Sequence, residues 1–228
     1  MAALSAQRGG RGFARHDGRL ERGRIGPRHV VAGGAQAGLD VHRRPDDAFD
    51  QVILATPATE AAIGPMRELH KLTHQPVNLS VRQGDEIVYI ERTYSERSGM
   101  QVVRAVGGRA PLHLTSVGKL FLAHDEPQRV RAYATRTGLT GHTRNSLTEL
   151  PSLERELEKV RRTAVSRDDE ELELGVRCMA AGIYDDQGRL VAGLSISAPA
   201  DRLEESWLER VKDTAARISA ALGHGSGA

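Results

Sequence analysis

The stretch that most constrains the fold runs from Gly175 to Pro199, GVRCMAAGIYDDQGRLVAGLSISAP. Two runs of apolar and small residues flank Asp185-Asp186-Gln187-Gly188, a composition that favours a turn, so the segment reads as an antiparallel hairpin. Side chains alternate along a strand. Leu190, Ala192, Leu194 and Ile196 therefore share one face, and Val191, Gly193, Ser195 and Ser197 the other. The first face is plain core. The second is small and then polar, the pattern of a floor with room above it. Cys178, Ala180 and Gly182 form a similarly small face on the partner strand. An even-length turn sets them beside Ser195 and Ser197, whereas a three-residue turn with a bulge reverses the faces, and the sequence leaves both open. The same small residues also suit a closely packed helix, and strand serines often face water.

The chain before the hairpin alternates between the two periodicities. ATEAAIGPMRELHKLTH (58–74) reads as a helix with Ile63, Met66, Leu69 and Leu72 near one face and a kink or restart at Gly64-Pro65. PVNLSVRQ (76–83) and EIVYIERT (86–93) alternate around Gly84-Asp85, a second hairpin, and MQVVRAV (100–106) reads as a further strand. PLHLTSVGKLFLAH (111–124) passes from a loop into a helix, and another helix is expected over 126–136. In 146–163, Leu150, Leu153, Leu157 and Val160 recur three or four apart, with Pro151 suited to the first turn of that helix. After the Cys178 hairpin, residues 201–223 carry the stripe Leu203, Trp207, Val211, Ala215, Ile218 and Leu222, with Asp201 as expected N-cap and Gly223 as the residue past the end. The sum is an α+β domain, an antiparallel sheet flanked by helices.

Charge divides the chain. Residues 1–44 hold nine arginines, no lysine, three acids and nine of the 24 glycines, without sustained periodicity. Residues 1–49 read as a Gly/Arg-rich tail, disordered or not native to the domain, that could bind nucleic acid non-specifically; 224–228 read as a flexible C-terminal tail. The remaining residues carry 23 basic and 27 acidic side chains, so the body of the chain does not by itself attract nucleic acid strongly. No apolar run approaches the roughly 18 residues of a membrane span. The N-terminus lacks the apolar segment of a signal peptide, and a single cysteine excludes an internal disulfide or a cysteine-rich zinc site. A cytoplasmic protein without membrane contact is expected.

Motifs for catalysis are weak. SRDDEELELGVRC (166–178) contains four consecutive acids at 168–171, for which a solvated loop is the simpler reading beside a metal or acid–base role. HExxH, GxSxG and GxxxxGK are absent from the sequence. His113 reads as a structural hydrogen-bonding histidine. Cys178 lacks a visible activating partner and reads as a small buried residue rather than a nucleophile. No catalytic residue, metal or cofactor is assigned.

GGRAPLHLTSVGKLFLA (107–123), DDEELELGVRCMAAGIYDDQGRLVAGLSISAP (168–199) and the closing AARISAALG resemble the effector-binding domain of IclR-type bacterial transcriptional regulators, from about Asp50 to Gly223. The resemblance implies a GAF/profilin-like domain (50–223) that encloses a small organic acid. Carried over by position, Ser116 and Val117 offer backbone N–H groups at a helix start, where unpaired donors and the helix dipole favour a carboxylate. Asp168, Cys178, Ser195 and Ser197 match the polar lining, and Val176, with Met100 or Val102, the apolar wall. The family also implies a homodimer or homotetramer, and operator DNA bound through an N-terminal winged helix-turn-helix, which nothing in 1–50 resembles. Two functions follow: the ligand-sensing part of a transcriptional regulator, or a stand-alone small-molecule-binding domain without DNA contact. An enzyme using Cys178 or the acids at 168–171 is the third and least supported.

Overall fold

The computed structural model describes residues 57–94 and 106–225. The element order is α1 (Pro57–Thr73), β1 (Val77–Gln83), β2 (Glu86–Thr93), β3 (Arg109–Pro111), a 3-10 turn (Leu112–Leu114), α2 (Ser116–His124), α3 (Pro127–Thr137), α4 (Leu150–Thr163), β4 (Val165–Asp169), β5 (Val176–Tyr184), β6 (Leu190–Pro199) and α5 (Trp207–Ala221). The strands form one six-stranded sheet in the order β3-β2-β1-β6-β5-β4, with every neighbouring pair antiparallel. The α+β architecture read from the sequence is the one observed, and the GAF/profilin-like expectation fits it.

Helices cover both faces of the sheet. On one, Ala62, Met66 and Leu69 of α1 and Trp207, Val211, Ala215 and Ile218 of α5 pack on Leu79, Met179, Leu194 and Ile196. On the other, Val117, Leu120 and Phe121 of α2, Tyr133 of α3 and Leu153, Leu157 and Val160 of α4 form a second cluster that includes Ala180 of β5. Burying each such Leu, Ile or Val contributes roughly 1.5–3 kcal/mol. The two-sided cover explains why β6 lacks an outward polar face: both its sides are buried over Ala192–Ile196. Among the described residues no helix is long and apolar enough to cross a membrane.

Several expectations change. The chain continues through Pro65 as one helix rather than restarting there. Its buried side is Ala58, Ala62, Met66, Leu69 and Thr73, so Leu72 is 61% exposed and is not part of the stripe. Packing on α5 and the sheet holds the helix across the hydrogen bond that proline cannot donate. The last helix starts at Trp207, not after Asp201. The intervening residues are tied into turns, with Arg202 N–H donating to Pro199 O and Trp207 N–H to Glu204 O. Gly223 does sit past the helix end in the left-handed region, at φ 90°. His224, placed in the tail, stacks on Tyr184 and hydrogen bonds to Asp185 O. The expected strand at 100–106 falls on residues outside the described ones up to 105, as do the calls on 1–49.

The β5–β6 hairpin resolves the open choice of faces. Its loop is Asp185–Arg189, closed by Asp185 N–H to Arg189 O and Gly188 N–H to Asp185 O. Tyr184 pairs with Leu190 and Ile183 with Ala192, leaving Val191 as a bulged residue. The bulge corrects the strand reading. Leu190 turns to the side of Gly182 and α2, and Val191 joins the α1/α5 side. Beyond the bulge, Cys178 pairs with Ser197, Ala180 with Ser195 and Gly182 with Gly193. The small residues and the serines therefore share one face.

Candidate functional site

The register extends that face across four strands. Asn78 of β1 lies opposite Ser195 and Ser80 opposite Gly193. Ser166 of β4 lies opposite Ala180, and Asp168 opposite Cys178. The floor beneath α2 thus carries hydroxyls, an amide, a thiol and a carboxyl, interspersed with alanine and glycine. Ser195 is 4% exposed and Ser197 is partly buried, so neither behaves as a serine on a solvated strand. Ser197 Oγ is 3.2 Å from Cys178 Sγ and accepts a hydrogen bond of 3.1 Å from Asn78 Nδ2.

Two glycines bring the helix start close to this floor. A Cβ on Gly193 would lie 2.5 Å from Val117 Cγ1, and one on Gly118 would lie 2.2 Å from Leu112 O. The missing side chain at Gly193 lets α2 begin close above β6, and the one at Gly118 lets the preceding 3-10 turn fold against the helix start. Thr115 caps the helix by accepting the Gly118 N–H at 3.1 Å, and Lys119 N–H bonds to Thr115 O. The N–H groups of Ser116 and Val117 are the other two of the first turn, and a helix supplies them with no internal acceptor. Both residues are buried. Donors and dipole there favour an anion.

The acidic run is not a uniformly solvated loop, which corrects the simpler reading. Asp168 and Glu171 are 3% and 6% exposed, while Asp169 faces solvent. Asp168 Oδ1 accepts the N–H groups of Glu171 and Leu172, folding the run back on itself so that its first and last acids turn inward. Glu171 Oε1 receives the ammonium of Lys119, which has no exposed surface, at 2.5 Å. Burial, and then the charge of Glu171, push the Asp168 carboxyl up to about 7. Burial raises Glu171 as well, against the pull of Lys119. Lys119 is matched by Glu171, and burial favours the uncharged form of Asp168, which lessens the repulsion an incoming anion meets.

The structure brings Ser116, Val117, Asp168, Cys178, Ser195 and Ser197 to one region, with Val176 two residues along the Cys178 face, opposite Pro199. Met100 and Val102 lie outside the described residues. Cys178 has Ser197 beside it and Asp168 across the strand pair, and burial followed by the Asp168 charge raises its thiol, the opposite of an activated nucleophile. His113 is a core residue, bonded to Tyr133 Oη at 2.7 Å and Thr140 O at 3.1 Å. Among the described residues no group of three or more His, Cys, Asp or Glu side chains is placed to hold a metal. Sequence reasoning did not assign Lys119 or Asn78, and weighed Glu171 only as part of the acidic run. Lys119 stood within TSVGK, three positions after Ser116, but its partner is 52 residues away.

A family model described as the C-terminal part of the bacterial transcriptional regulator IclR matches residues 51–220. The chain belongs to the IclR family. The HTH-type transcriptional repressor AllR of Escherichia coli (strain K12) is 38% identical over 162 residues, which cover 69% of this chain and 59% of AllR. The chain thus spans about three fifths of the length of the curated relatives it matches. Among solved structures, Thermotoga maritima IclR superposes with a TM-score of 0.71 at 31% identity, covering 78% of this chain and 73% of that one. The inducer-binding domain of the PobR transcription factor from Acinetobacter, a double mutant in complex with 3-hydroxybenzoic acid, gives a TM-score of 0.65 at 25% identity, covering 72% and 98%. The described fold is that of the IclR C-terminal domain, and AllR is a transcriptional repressor.

Proposed function

We propose that the region between the start of α2 and the β5–β6 hairpin binds a small organic acid, and that this chain is the effector-sensing part of a cytoplasmic IclR-family regulator of transcription. The observation that supports this most directly is the placement of the start of α2, with its Ser116 and Val117 N–H groups, over a floor of buried Ser195 and Asp168 and half-buried Ser197 and Cys178. The two amides take the carboxylate, and the serine hydroxyls and the protonated form of Asp168 donate to it; charge-assisted bonds of this kind are roughly twice as strong as neutral ones. Val176 supplies apolar wall. PobR's complex with an aromatic acid supports the ligand class.

Effector binding controls transcription only if the acid prefers one arrangement of homodimer or homotetramer over another. Operator DNA is then read by a helix-turn-helix that this chain's described residues do not contain. The second reading, a binding domain without DNA contact, separates from the first by gel shift on the promoter beside the gene.

The decisive experiment is a thermal-shift screen of carboxylates on this chain. A rise in melting temperature with at least one acid, abolished by Ser195→Ala with Ser197→Ala, is expected. No rise with any acid, or a rise indifferent to both substitutions, overturns the acid site.

A further inference from the structure

Asn78 stands on β1 in register with Ser195, on the face that carries Ser195 and Ser197. It is 1% exposed. Its Nδ2 donates to Ser197 Oγ at 3.1 Å, which fixes the amide on that side of the sheet. Its other end is unanswered: Oδ1 is buried and has no hydrogen-bond donor among the described residues. Two residues along the same face, the Ser80 hydroxyl is buried and without a partner as well. Buried polar atoms are almost always hydrogen-bonded, so an orphaned carbonyl oxygen beside a ligand floor calls for a donor that the described residues do not supply, and a bound ligand can.

We propose that Asn78 reads a hydroxyl group carried by the effector next to its carboxylate. This rests on the acid-site reading and deepens it. A bare carboxylate has acceptors only; it satisfies the α2 amides and the serine hydroxyls but has nothing to give Asn78 Oδ1. A hydroxy acid supplies that proton. The same side chain acts a second way. Because Ser197 Oγ already accepts from Asn78, its own O–H is directed elsewhere, to Cys178 Sγ at 3.2 Å or to the ligand carboxylate. Asn78 thus sets Ser197 as a donor and keeps one acceptor for the ligand, so an acid lacking the hydroxyl leaves that acceptor buried and unpaired.

The test is isothermal titration of the full chain with matched acids: lactate against propionate, malate against succinate, and 3-hydroxybenzoate against benzoate. In at least one pair the hydroxylated member is expected to bind the wild type about tenfold more tightly or better, and Asn78→Leu, close in size but without the carbonyl, is expected to bring that ratio to about one. The ratio is insensitive to a general loss of affinity, and a ratio of about one in the wild type refutes the assignment even if the variant does not fold. A preference that survives in Asn78→Leu refutes it too, while plain-acid binding leaves the acid site standing. Failure of every acid to bind the wild type overturns the acid site and the role of Asn78 together.

Discussion

Lys119 Nζ lies 2.5 Å from Glu171 Oε1, in an ion pair whose cation is fully buried and whose anion is 8% exposed at the side chain. It ties the second turn of α2 to the loop that follows β4, and so holds the two sides of the candidate site together. Removing one partner of such a pair leaves the other charge buried and uncompensated. Lys119→Ala is expected to lower stability by about 3–5 kcal/mol. Lys119→Met combined with Glu171→Leu is expected to recover most of that loss. Urea denaturation of the two variants checks both statements.

Gly193 governs how closely α2 approaches the floor. A methyl group there would stand 2.5 Å from Val117 Cγ1 and 2.9 Å from its Cγ2, both branches of one stiff side chain. Gly193→Ala is therefore expected to cost about 1–3 kcal/mol and to lift the Ser116 and Val117 amides off the serines. The melting temperature and the affinity for whichever acid raises it should fall together. Intact affinity in a destabilised variant would mean the helix start does not touch the ligand.

Asp168 makes stability depend on pH. Its carboxyl is pushed up to about 7 from an ordinary 3.8, first by burial and second by Glu171. The folded protein then holds a proton that the unfolded chain has already released, so stability is full below the unfolded value and declines as pH rises through about 7. The loss is on the order of 4 kcal/mol at most. Asp168→Asn is expected to flatten the decline, measured as the difference between the two proteins in urea unfolding from about pH 4 to about pH 8.

Cys178 should be a poor nucleophile. Burial and the Asp168 charge favour the thiol over the thiolate, which is the reactive form. Alkylation by iodoacetamide at about pH 8, followed by mass spectrometry, is expected to run at least about tenfold slower than for an unperturbed cysteine. Rates equal to those of the denatured chain would show an activated site instead.

The helical stripes over Leu153, Leu157 and Val160 and over Trp207, Val211, Ala215 and Ile218 were legible because amphipathic periodicity is local. So was the Gly193, Ser195, Ser197 face, since a strand's alternation needs only neighbouring residues. The fate of Leu190 was not legible. A single bulged residue, Val191, moves it to the opposite side of the sheet, and the choice between regular and bulged pairing rests on which core accepts which side chain.

The sequence by itself determined the main helices, the β1–β2 and β5–β6 hairpins, and that one hairpin face is small and polar, because those properties follow from the spacing of side chains along a few turns or pleats; the short strands β3 and β4 carry no such local pattern. Tertiary structure alone decided that two of the four consecutive acids turn inward, that Glu171 meets Lys119 across 52 residues, and that Asn78 reaches Ser197 across 119. Such pairings are stable only once the surrounding core has removed water from both partners, and no local pattern of residues records that event.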